Sequence, residues 1–338
     1  MRIEPHEEPR LGLGALRFVG TGLVRPECVL AHRSGWLFCA DWQGAGGVAA
    51  VAPDRRVRRV TATGLPRPLR PNGIALEPHG RFLLADLGDE VGGVFRLYPD
   101  GGVEPVVAAV DGHPLPPTNY VHRDREGRIY VTVSTRLRPR TLGCRADVAD
   151  GFVVLVDAKG ARVVADGLGY TNECVVSACG GYLYVNETFA RRLSRFPRHA
   201  DGTLGAREVV TTFGVGTFPD GLTLDREGGL WITSIVSNRV IRLAPDGREE
   251  LWLEDADLEH VASCEAAYVA GELGRAQLDR VTGRKLRNVS SLAFGGPDLT
   301  TAYLGCLLGD AIASFESPIP GAAPPHWDLP LGPLVEGW

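Results

Sequence analysis

The chain has 338 residues, and 44% of them are apolar, which is enough to build a sizeable hydrophobic core. Its 36 Lys and Arg residues are balanced by 41 Asp and Glu residues, for a formal net charge of −5. Without an excess of basic residues to neutralise phosphates, nucleic acid is excluded as the main partner.

The N-terminal segment "MRIEPHEEPRLGLGALRF" carries acidic residues and prolines instead of the apolar stretch of a signal peptide. No stretch approaches the roughly 18 apolar residues of a transmembrane helix. The seven cysteines form no C-x-x-C pair and are odd in number, which is typical of reduced thiols. We therefore expect a cytoplasmic protein that does not use a membrane as a partner.

One unit of sequence recurs along the chain. A polar residue opens a short apolar strand, a Gly-containing turn follows, and a second strand rich in aromatic and β-branched residues completes the unit. The six copies are "ECVLAHRSGWLFCAD" from Glu27, "NGIALEPHGRFLLADL" from Asn72, "NYVHRDREGRIYVTV" from Asn119, "NECVVSACGGYLYVNE" from Asn172, "DGLTLDREGGLWITS" from Asp220 and "SSLAFGGPDLTTAYLG" from Ser290.

The spacing of these units predicts the fold. The first five start 45 to 53 residues apart, which leaves room for four strands each. Third and fourth strands joined by Asp-Gly turns follow several units, as in "RVIRLAPDGREELWL". Six such units predict an all-β fold, a six-bladed β-propeller, with residues 1–338 forming a single domain.

The last interval is longer than the others. Its extra segment, "DLEHVASCEAAYVAGELGRAQLDRV", is rich in Ala, Glu and Leu, and its apolar spacing favours a helix. We predict one helical insertion from Leu258 to Leu278, before the last blade, that forms a lid or an oligomer contact. The oligomeric state itself stays open.

The polar residues that open the six units are candidate site residues. In a propeller the first strand of each blade lines the central channel, so Glu27, Asp220 and the asparagines would face one axial cavity. Two carboxylates and several amides are costly to bury unpaired, and one divalent cation would balance them. Oxygen ligands favour Ca²⁺, Mg²⁺ or Mn²⁺ over Zn²⁺. The alternative is that these residues only shape turns.

The segments "PNGIALEPHGRFLLAD", "TNECVVSACGGYLYVNETFARRLSRF" and "PDGLTLDREGGLWIT" resemble those of the senescence-marker protein/gluconolactonase/luciferin-regenerating-enzyme (regucalcin-like) family. The resemblance covers the chain from about Leu23 to Phe315. It implies a six-bladed propeller that holds one divalent cation, most often Ca²⁺, and hydrolyses a sugar lactone.

The resemblance also implies roles for particular residues. The family's metal ligands fall on Glu27, Asn172 and Asp220, and a further Asn near metal and substrate falls on Asn119. The chain departs from the family beside two of these, where Glu27-Cys28-Val29 replaces Glu-Gly-Pro and Asn172-Glu173 replaces Asn-Gly. These departures affect the expected substrate more than the metal.

A metal-dependent lactonase needs a polarised carbonyl and an activated water. We expect Asp220 to act as general base and Asn119 to hold the substrate. The chain lacks G-x-S-x-G, the commonest motif of a serine hydrolase. The Arg-rich loop "STRLRPRTLGCRADVADG" includes Arg136, Arg138 and Arg140, which are candidates to bind an anionic group of the substrate. The alternative is a solvated loop without a role in binding.

Three further interpretations concern neighbouring residues. Glu187 is a candidate to touch substrate hydroxyls or to pair with Arg191. Strand alternation predicts that Cys28 and His122 point away from the channel, whereas Cys174 could face it. Two other function classes stay open: a non-catalytic metal-binding propeller, and a strictosidine-synthase-like enzyme that does not hydrolyse its substrate.

Overall fold

The computed structural model describes residues 8–336, which form six four-stranded antiparallel sheets arranged as a propeller. Blade 1 comprises Val29–Ala31, Leu37–Asp41, Gly47–Val51 and Val57–Thr61. Blade 2 comprises Pro71–Glu77, Arg81–Asp86, Gly93–Leu97 and Val103–Val107. Blade 3 comprises Thr118–Arg123, Ile129–Val133, Gly151–Asp157 and Gly160–Leu168. Blade 4 comprises Thr171–Val176, Tyr182–Glu187, Arg192–Pro197 and Glu208–Thr212. Blade 5 comprises Thr217–Leu224, Leu230–Val236, Arg239–Leu243 and Glu249–Glu254. Blade 6 comprises Val289–Gly295, Thr301–Cys306, Ile312–Glu316 and Arg17–Val19. The predicted six-bladed β-propeller is confirmed.

The sixth blade is completed by the N-terminal part of the chain. Arg17–Val19 pairs antiparallel with Ile312–Glu316, with Arg17 opposite Ser314. This pairing joins the two ends of the chain in one sheet and closes the ring. A three-residue strand shows no recognisable alternation, and the sequence did not predict it.

A β-bulge interrupts the first strand of five blades at the residue that was predicted to face the channel. The register shifts lie between Pro71 and Ile74, Thr118 and Tyr120, Thr171 and Cys174, Pro219 and Leu222, and Val289 and Ser291. Each shift leaves the polar residue outside the regular pairing. Because bulges bend a strand and re-aim its side chains, they direct four of these residues, all but Ser290, toward the axis.

Aromatic contacts pack the blades against one another. The Phe38 ring of blade 1 meets the Phe82 ring of blade 2 edge to face, with centroids 5.2 Å apart. Trp231 of blade 5 meets Phe294 of blade 6 in the same manner at 5.3 Å. Edge-to-face geometry adds to the burial of apolar area, so the blades are held at fixed angles around the channel.

The helical insertion is present at the predicted place and consists of two helices, Leu258–Ala270 (α1) and Arg275–Leu278 (α2). The Asp257 side chain caps α1 by accepting hydrogen bonds from the backbone N–H groups of Glu259 and His260. Gly271 ends it with a left-handed φ of 72°, a conformation that glycine adopts at little cost.

The remaining short elements lie outside the four-stranded sheets. They are the hairpin Ala109–Val110 with His113–Pro114 and the 3-10 helices Leu13–Ala15, Pro78–Gly80, Arg140–Gly143 and Gly332–Leu334. No helix within residues 8–336 is both long and apolar enough to cross a membrane.

Candidate functional site

The channel opens into two cavities, one at each end. The smaller, of about 50 Å³, lies where the first strands begin, and Glu27, Asn72, Asn119, Asn172 and Asp220 line it. The larger, of about 650 Å³, lies where the first strands end, and its walls include the turns that follow them. We take the smaller cavity as the candidate site, although it has less room, because the buried carboxylates and amides converge there.

A chain of hydrogen bonds links the asparagines of blades 2, 3 and 4. The Nδ2 of Asn72 donates to Oδ1 of Asn119 at 2.5 Å, and Nδ2 of Asn119 donates to Oδ1 of Asn172 at 2.9 Å. The Nδ2 of Asn172 donates to Thr188 Oγ1 at 2.9 Å, and that hydroxyl donates to the carbonyl of Pro219 at 2.7 Å. The amides are therefore held in place by one another across four blades.

Glu27 and Asp220 place two carboxyl groups in the same cavity, and only 5% and 4% of these residues is exposed. Burial raises the pKa of Glu27, while the nearby Arg25 and Arg140 lower it. Burial raises the pKa of Asp220 well above its usual value, and the negative charge of Glu27 raises it further. The Oε2 of Glu27 is enclosed and has no hydrogen-bond partner within residues 8–336. A cation would offset the burial of both carboxyl groups, reduce the repulsion between them and give Glu27 Oε2 a partner.

Two guanidinium groups lie beside these carboxylates. Arg25 stacks over the Trp42 ring at 4.5 Å, and its Nη2 lies 3.2 Å from Glu27 Oε2, although not in hydrogen-bonding geometry. Arg140 donates from Nε to the Tyr170 hydroxyl at 2.9 Å. Both side chains line the cavity.

The four residues predicted to hold a metal, Glu27, Asn119, Asn172 and Asp220, all line this one cavity. The sixth position behaves differently, because Ser290 donates its hydroxyl to the Glu27 carbonyl at 3.0 Å and is absent from the cavity wall. The metal-ligand roles of Glu27, Asn119, Asn172 and Asp220 stay predictions. The roles of Asp220 as general base and of Asn119 as substrate contact also stay predictions.

The remaining candidate substrate contacts lie elsewhere. Arg136 pairs with Asp166 at 2.8 Å and stacks on Phe152, and Arg138 is exposed to solvent. Glu187 is fully buried and accepts hydrogen bonds from Gly169 N, Arg192 and Ser194. The structure places none of these three in the wall of the small cavity.

Sequence reasoning missed some lining residues. Arg25 and Arg275 were not predicted, whereas Arg140 was predicted, with Arg136 and Arg138, to bind an anionic group and does line the cavity. One signal was available for Arg25, since it stands two residues before Glu27. For Arg275 there was none, because its place over the channel depends on how the insertion folds back.

Two predictions made from strand alternation are wrong, because Cys28 and His122 lie in the wall of the large cavity. For His122 the reason is the register shift after Thr118, which breaks the alternation. The strand that follows Cys28 shows no such shift. Cys174, whose direction the sequence left open, is fully buried among inter-blade core residues, including Leu183 and Phe196, and lines neither cavity.

Glu173 follows Asn172 and occupies the next layer of the channel, in the wall of the large cavity. Its Oε2 accepts a hydrogen bond from the backbone N–H of Leu222 at 2.8 Å. Burial raises the pKa of this carboxyl well above its usual value, and the charges of Asp220 and Glu27 add to the effect. The large cavity therefore has a buried carboxyl in its wall, at the position where the resemblance implies a glycine.

Residues 25–265 match the family described as the SMP-30/Gluconolactonase/LRE-like region. The chain belongs to this family. Among its relatives is a 6-deoxy-6-sulfogluconolactonase of Pseudomonas putida, 33% identical over 136 residues, which are 39% of this chain and 46% of the relative. Pentonolactonase XacC of Haloferax volcanii is 27% identical over 172 residues, 50% of this chain and 49% of the relative. Each match thus spans about half the length of the relative.

A solved structure extends the likeness in fold to nearly the whole chain of this SMP-30/gluconolactonase-family protein. The calcium-binding protein regucalcin of Agrobacterium tumefaciens superposes with a TM-score of 0.60 at 16% identity, covering 93% of this chain and 97% of regucalcin. At this identity, the comparison supports the shared fold and nothing further.

The donor set of the small cavity fits a divalent cation. Within residues 8–336, no three His, Cys, Asp or Glu side chains group together as a metal site. An ion here would therefore depend on two carboxylates and neutral amide oxygens, which is a hard, all-oxygen set. The observation that favours such an ion is that Glu27 Oε2 is enclosed and accepts no hydrogen bond within residues 8–336, although Arg25 lies 3.2 Å away.

Proposed function

We propose that this protein is a divalent-metal-dependent lactonase that opens the ring of a sugar lactone in the small cavity of its channel. The observation that carries the proposal is the convergence of two buried carboxyl groups, Glu27 and Asp220, with three linked asparagines. The names of the two relatives, a sulfogluconolactonase and a pentonolactonase, support a sugar lactone as the substrate class.

Glu27, Asn172 and Asp220, with Asn119 beside them, are the residues that we assign to hold the cation. Ca²⁺ is the first candidate because every available donor is an oxygen, and Mg²⁺, Mn²⁺ or Zn²⁺ are the others. When bound, the ion supplies Lewis-acid polarisation of the lactone carbonyl.

The chain's own groups carry the proton transfers. Asp220 takes a proton from the attacking water as the water oxygen bonds to the carbonyl carbon. The ring C–O bond then breaks, and the same proton passes to the departing alkoxide. Asp220 lines the cavity, and its carboxylate can first accept the proton and then return it.

Asn119 is placed to orient the substrate. It lies at the centre of the amide chain, donating to Asn172 and accepting from Asn72. With its neighbours holding it on both sides, its amide keeps one orientation toward the cavity. Its Nδ2 donates to both Asn172 Oδ1 and the Thr171 carbonyl, so Oδ1 is the atom with which Asn119 can accept a hydrogen bond from a substrate hydroxyl.

Elemental analysis of dialysed protein, combined with a pH-indicator screen of sugar lactones, tests the proposal. We expect about one divalent ion per chain, and acid release from at least one lactone that stops on chelation. Metal binding without turnover of any lactone would instead indicate the non-catalytic class. Absence of a metal, with no rise in melting temperature on adding Ca²⁺, Mg²⁺, Mn²⁺ or Zn²⁺, overturns the metal assignment.

A further inference from the structure

Three arginines from separate parts of the chain meet at the small cavity. Arg25 precedes blade 1, Arg140 opens a 3-10 helix in the loop of blade 3, and Arg275 opens helix α2 of the insertion. All three line the cavity that holds Glu27 and Asp220. The guanidinium groups therefore outnumber the carboxylates in its wall.

Two of these arginines keep hydrogen-bond donors without a partner in the described part of the chain, whereas Arg275 is half exposed and pairs with Asp279 at 3.1 Å. Arg25 Nε and Arg140 Nη1 are enclosed yet have no hydrogen-bond partner within residues 8–336. Arg140 forms no ion pair with a carboxylate in that same part of the chain, because the partner of its Nε is the neutral hydroxyl of Tyr170. A guanidinium that is buried without an anion or a full set of acceptors is costly.

The surroundings fix Arg140 in this position. Its guanidinium lies 5.4 Å from the centre of the Tyr170 ring, in addition to its hydrogen bond with that side chain. Tyr170 in turn packs edge to face on Phe189, with ring centroids 4.6 Å apart. Arg140 is thus positioned in advance, with its enclosed Nη1 donor still without a partner within residues 8–336.

We propose that Arg25, Arg140 and Arg275 form an anion-binding subsite, and that the lactone opened here carries a negatively charged substituent such as a carboxylate, sulfonate or phosphate. The planar fork of a guanidinium matches all three of these groups. The proposal rests on the proposed lactonase function and narrows its substrate class. It also gives the insertion a role, because the insertion supplies Arg275.

A matched pair of substrates tests the proposal. D-Glucaro-1,4-lactone and D-glucono-1,4-lactone differ only in a carboxylate against a hydroxymethyl group at C6. We expect the wild-type protein to favour the glucaro-lactone in kcat/KM by about 10-fold or more, the scale of a charge-assisted contact. Arg140→Gln should remove this preference through a higher KM for the glucaro-lactone, and Arg140→Lys should keep part of it.

Arg145 provides the matched control. It lies in the same loop but pairs with Asp147 at 2.6 Å on the surface, so Arg145→Gln should keep the preference. Lactones with a 6-sulfonate or a 6-phosphate, assayed in parallel, identify which anion is favoured. Melting temperatures of all variants show whether each one has folded.

The outcomes separate this inference from the lactonase proposal. If both lactones are hydrolysed equally well by the wild-type protein, the anion subsite is wrong and the lactonase proposal stands. If neither is hydrolysed, the lactonase proposal fails for these substrates, and stabilisation by D-glucarate over D-gluconate in a thermal-shift assay decides the subsite. The subsite then requires this difference in wild type and its loss in Arg140→Gln; equal stabilisation overturns it.

Discussion

Arg25 Nη2 lies 3.2 Å from Glu27 Oε2, and no hydrogen bond of proper geometry joins them. The guanidinium therefore supplies positive charge to the candidate metal ligand without satisfying its oxygen. Arg25 also donates from Nη2 to Asn72 Oδ1 at 3.5 Å, at the long limit of a hydrogen bond. A divalent cation and Arg25 would compete for the same carboxylate.

The first prediction is that two substitutions in this pair have opposite effects on Ca²⁺ binding. Glu27→Gln should weaken the affinity because it removes a negative charge from the ligand set. Arg25→Gln should strengthen it because it removes a competing cation. A change of about 10-fold in Kd is expected for each, since charges this close interact by more than about 1.4 kcal/mol in a partly buried site. Calorimetric titration of metal-free protein measures both, and weaker binding in Arg25→Gln would contradict the competition.

The second prediction concerns Asp220→Asn, which keeps the shape of the side chain but removes its charge and its ability to take a proton. Lactone hydrolysis should fall by about 10²-fold or more, the usual scale for loss of a general base. The unfolding free energy of metal-free protein should not fall, because the carboxyl is buried and repelled by Glu27. Wild-type activity in this variant would exclude Asp220 as the base.

Asn72→Ala serves as a comparison for that experiment. Asn72 lines the same cavity and donates to Asn119 but has no assigned role as a ligand or base. We expect a smaller loss of activity than in Asp220→Asn. A larger loss would mean that the amide chain, and not the carboxylate, dominates the chemistry.

The blades could be predicted from sequence because each repeats the same local pattern. A polar residue, an alternating strand and a Gly turn are all encoded within about fifteen residues, as from Asp220 to Ser234. The strand Arg17–Val19 could not be predicted, since it is paired only through contact with a segment nearly 300 residues away. Local signals report local structure, and ring closure is not local.

Some residues of the candidate site could likewise be predicted from local sequence, and others could not. The polar residues that open the first strands were found because each blade presents one at the same position. His122 was predicted to point away from the channel, but a bulge changes the parity of its strand, and nothing in "TNYVHR" marks that bulge. Arg275 was missed because the path of the insertion brings it to the cavity wall. Tertiary packing, which single-sequence patterns do not contain, decides both cases.

The third prediction tests the close packing around the channel. A Cβ on Gly221 would lie 2.5 Å from Ser291 Cα and 2.6 Å from the Ser290 carbonyl, both in the backbone of the neighbouring blade. Gly221→Ala should destabilise the protein by about 1–3 kcal/mol, as overpacking commonly does. Gly214→Ala is the control, because a Cβ there meets no atom within 4 Å. Urea denaturation measures both, and equal midpoints would show that the blades can separate to admit the methyl group.

The fourth prediction concerns acid sensitivity at the large cavity. Burial, with a smaller effect from Arg198, lowers the pKa of His122 to about 4. As pH falls below about 6.5, His122 becomes protonated in the unfolded chain but stays neutral in the folded protein. The free energy of unfolding therefore decreases until about pH 4, below which His122 is protonated in both states. The loss approaches about 1.4 kcal/mol per pH unit across this window.

His122→Gln should remove that part of the acid sensitivity while keeping an acceptor for the Val176 N–H, which His122 Nε2 meets at 3.4 Å. Stability of the variant and of wild type would be compared by denaturation at pH 7 and pH 4.5. The exposed His113, changed to Gln, is the control. An unchanged pH profile in His122→Gln would mean that His122 takes up a proton without cost in the folded state.

The fifth prediction concerns how the insertion is attached. Glu265 of α1 is 5% exposed, and its Oε1 accepts hydrogen bonds from Arg191 Nη2 and from the backbone N–H of Gly216, each at 2.6 Å. Arg191 also stacks on Tyr268 of α1 at 4.0 Å and on Phe218 of blade 5 at 4.4 Å. Glu265→Gln should cost about 1–3 kcal/mol of stability, because it leaves a buried guanidinium without its anion.

A double-mutant cycle with Arg191→Met isolates the ion pair from the stacking. We expect a coupling free energy above about 0.5 kcal/mol, the lower end of the range for residues in direct contact. Glu272→Gln, on the exposed segment after α1, is the matched control and should be silent. If Arg275 reaches the cavity because α1 is anchored, Glu265→Gln should also raise KM for an acidic lactone more than for its neutral counterpart. Additive stability effects with an unchanged KM ratio would mean that the apolar contacts of α1 hold the insertion without help from Glu265.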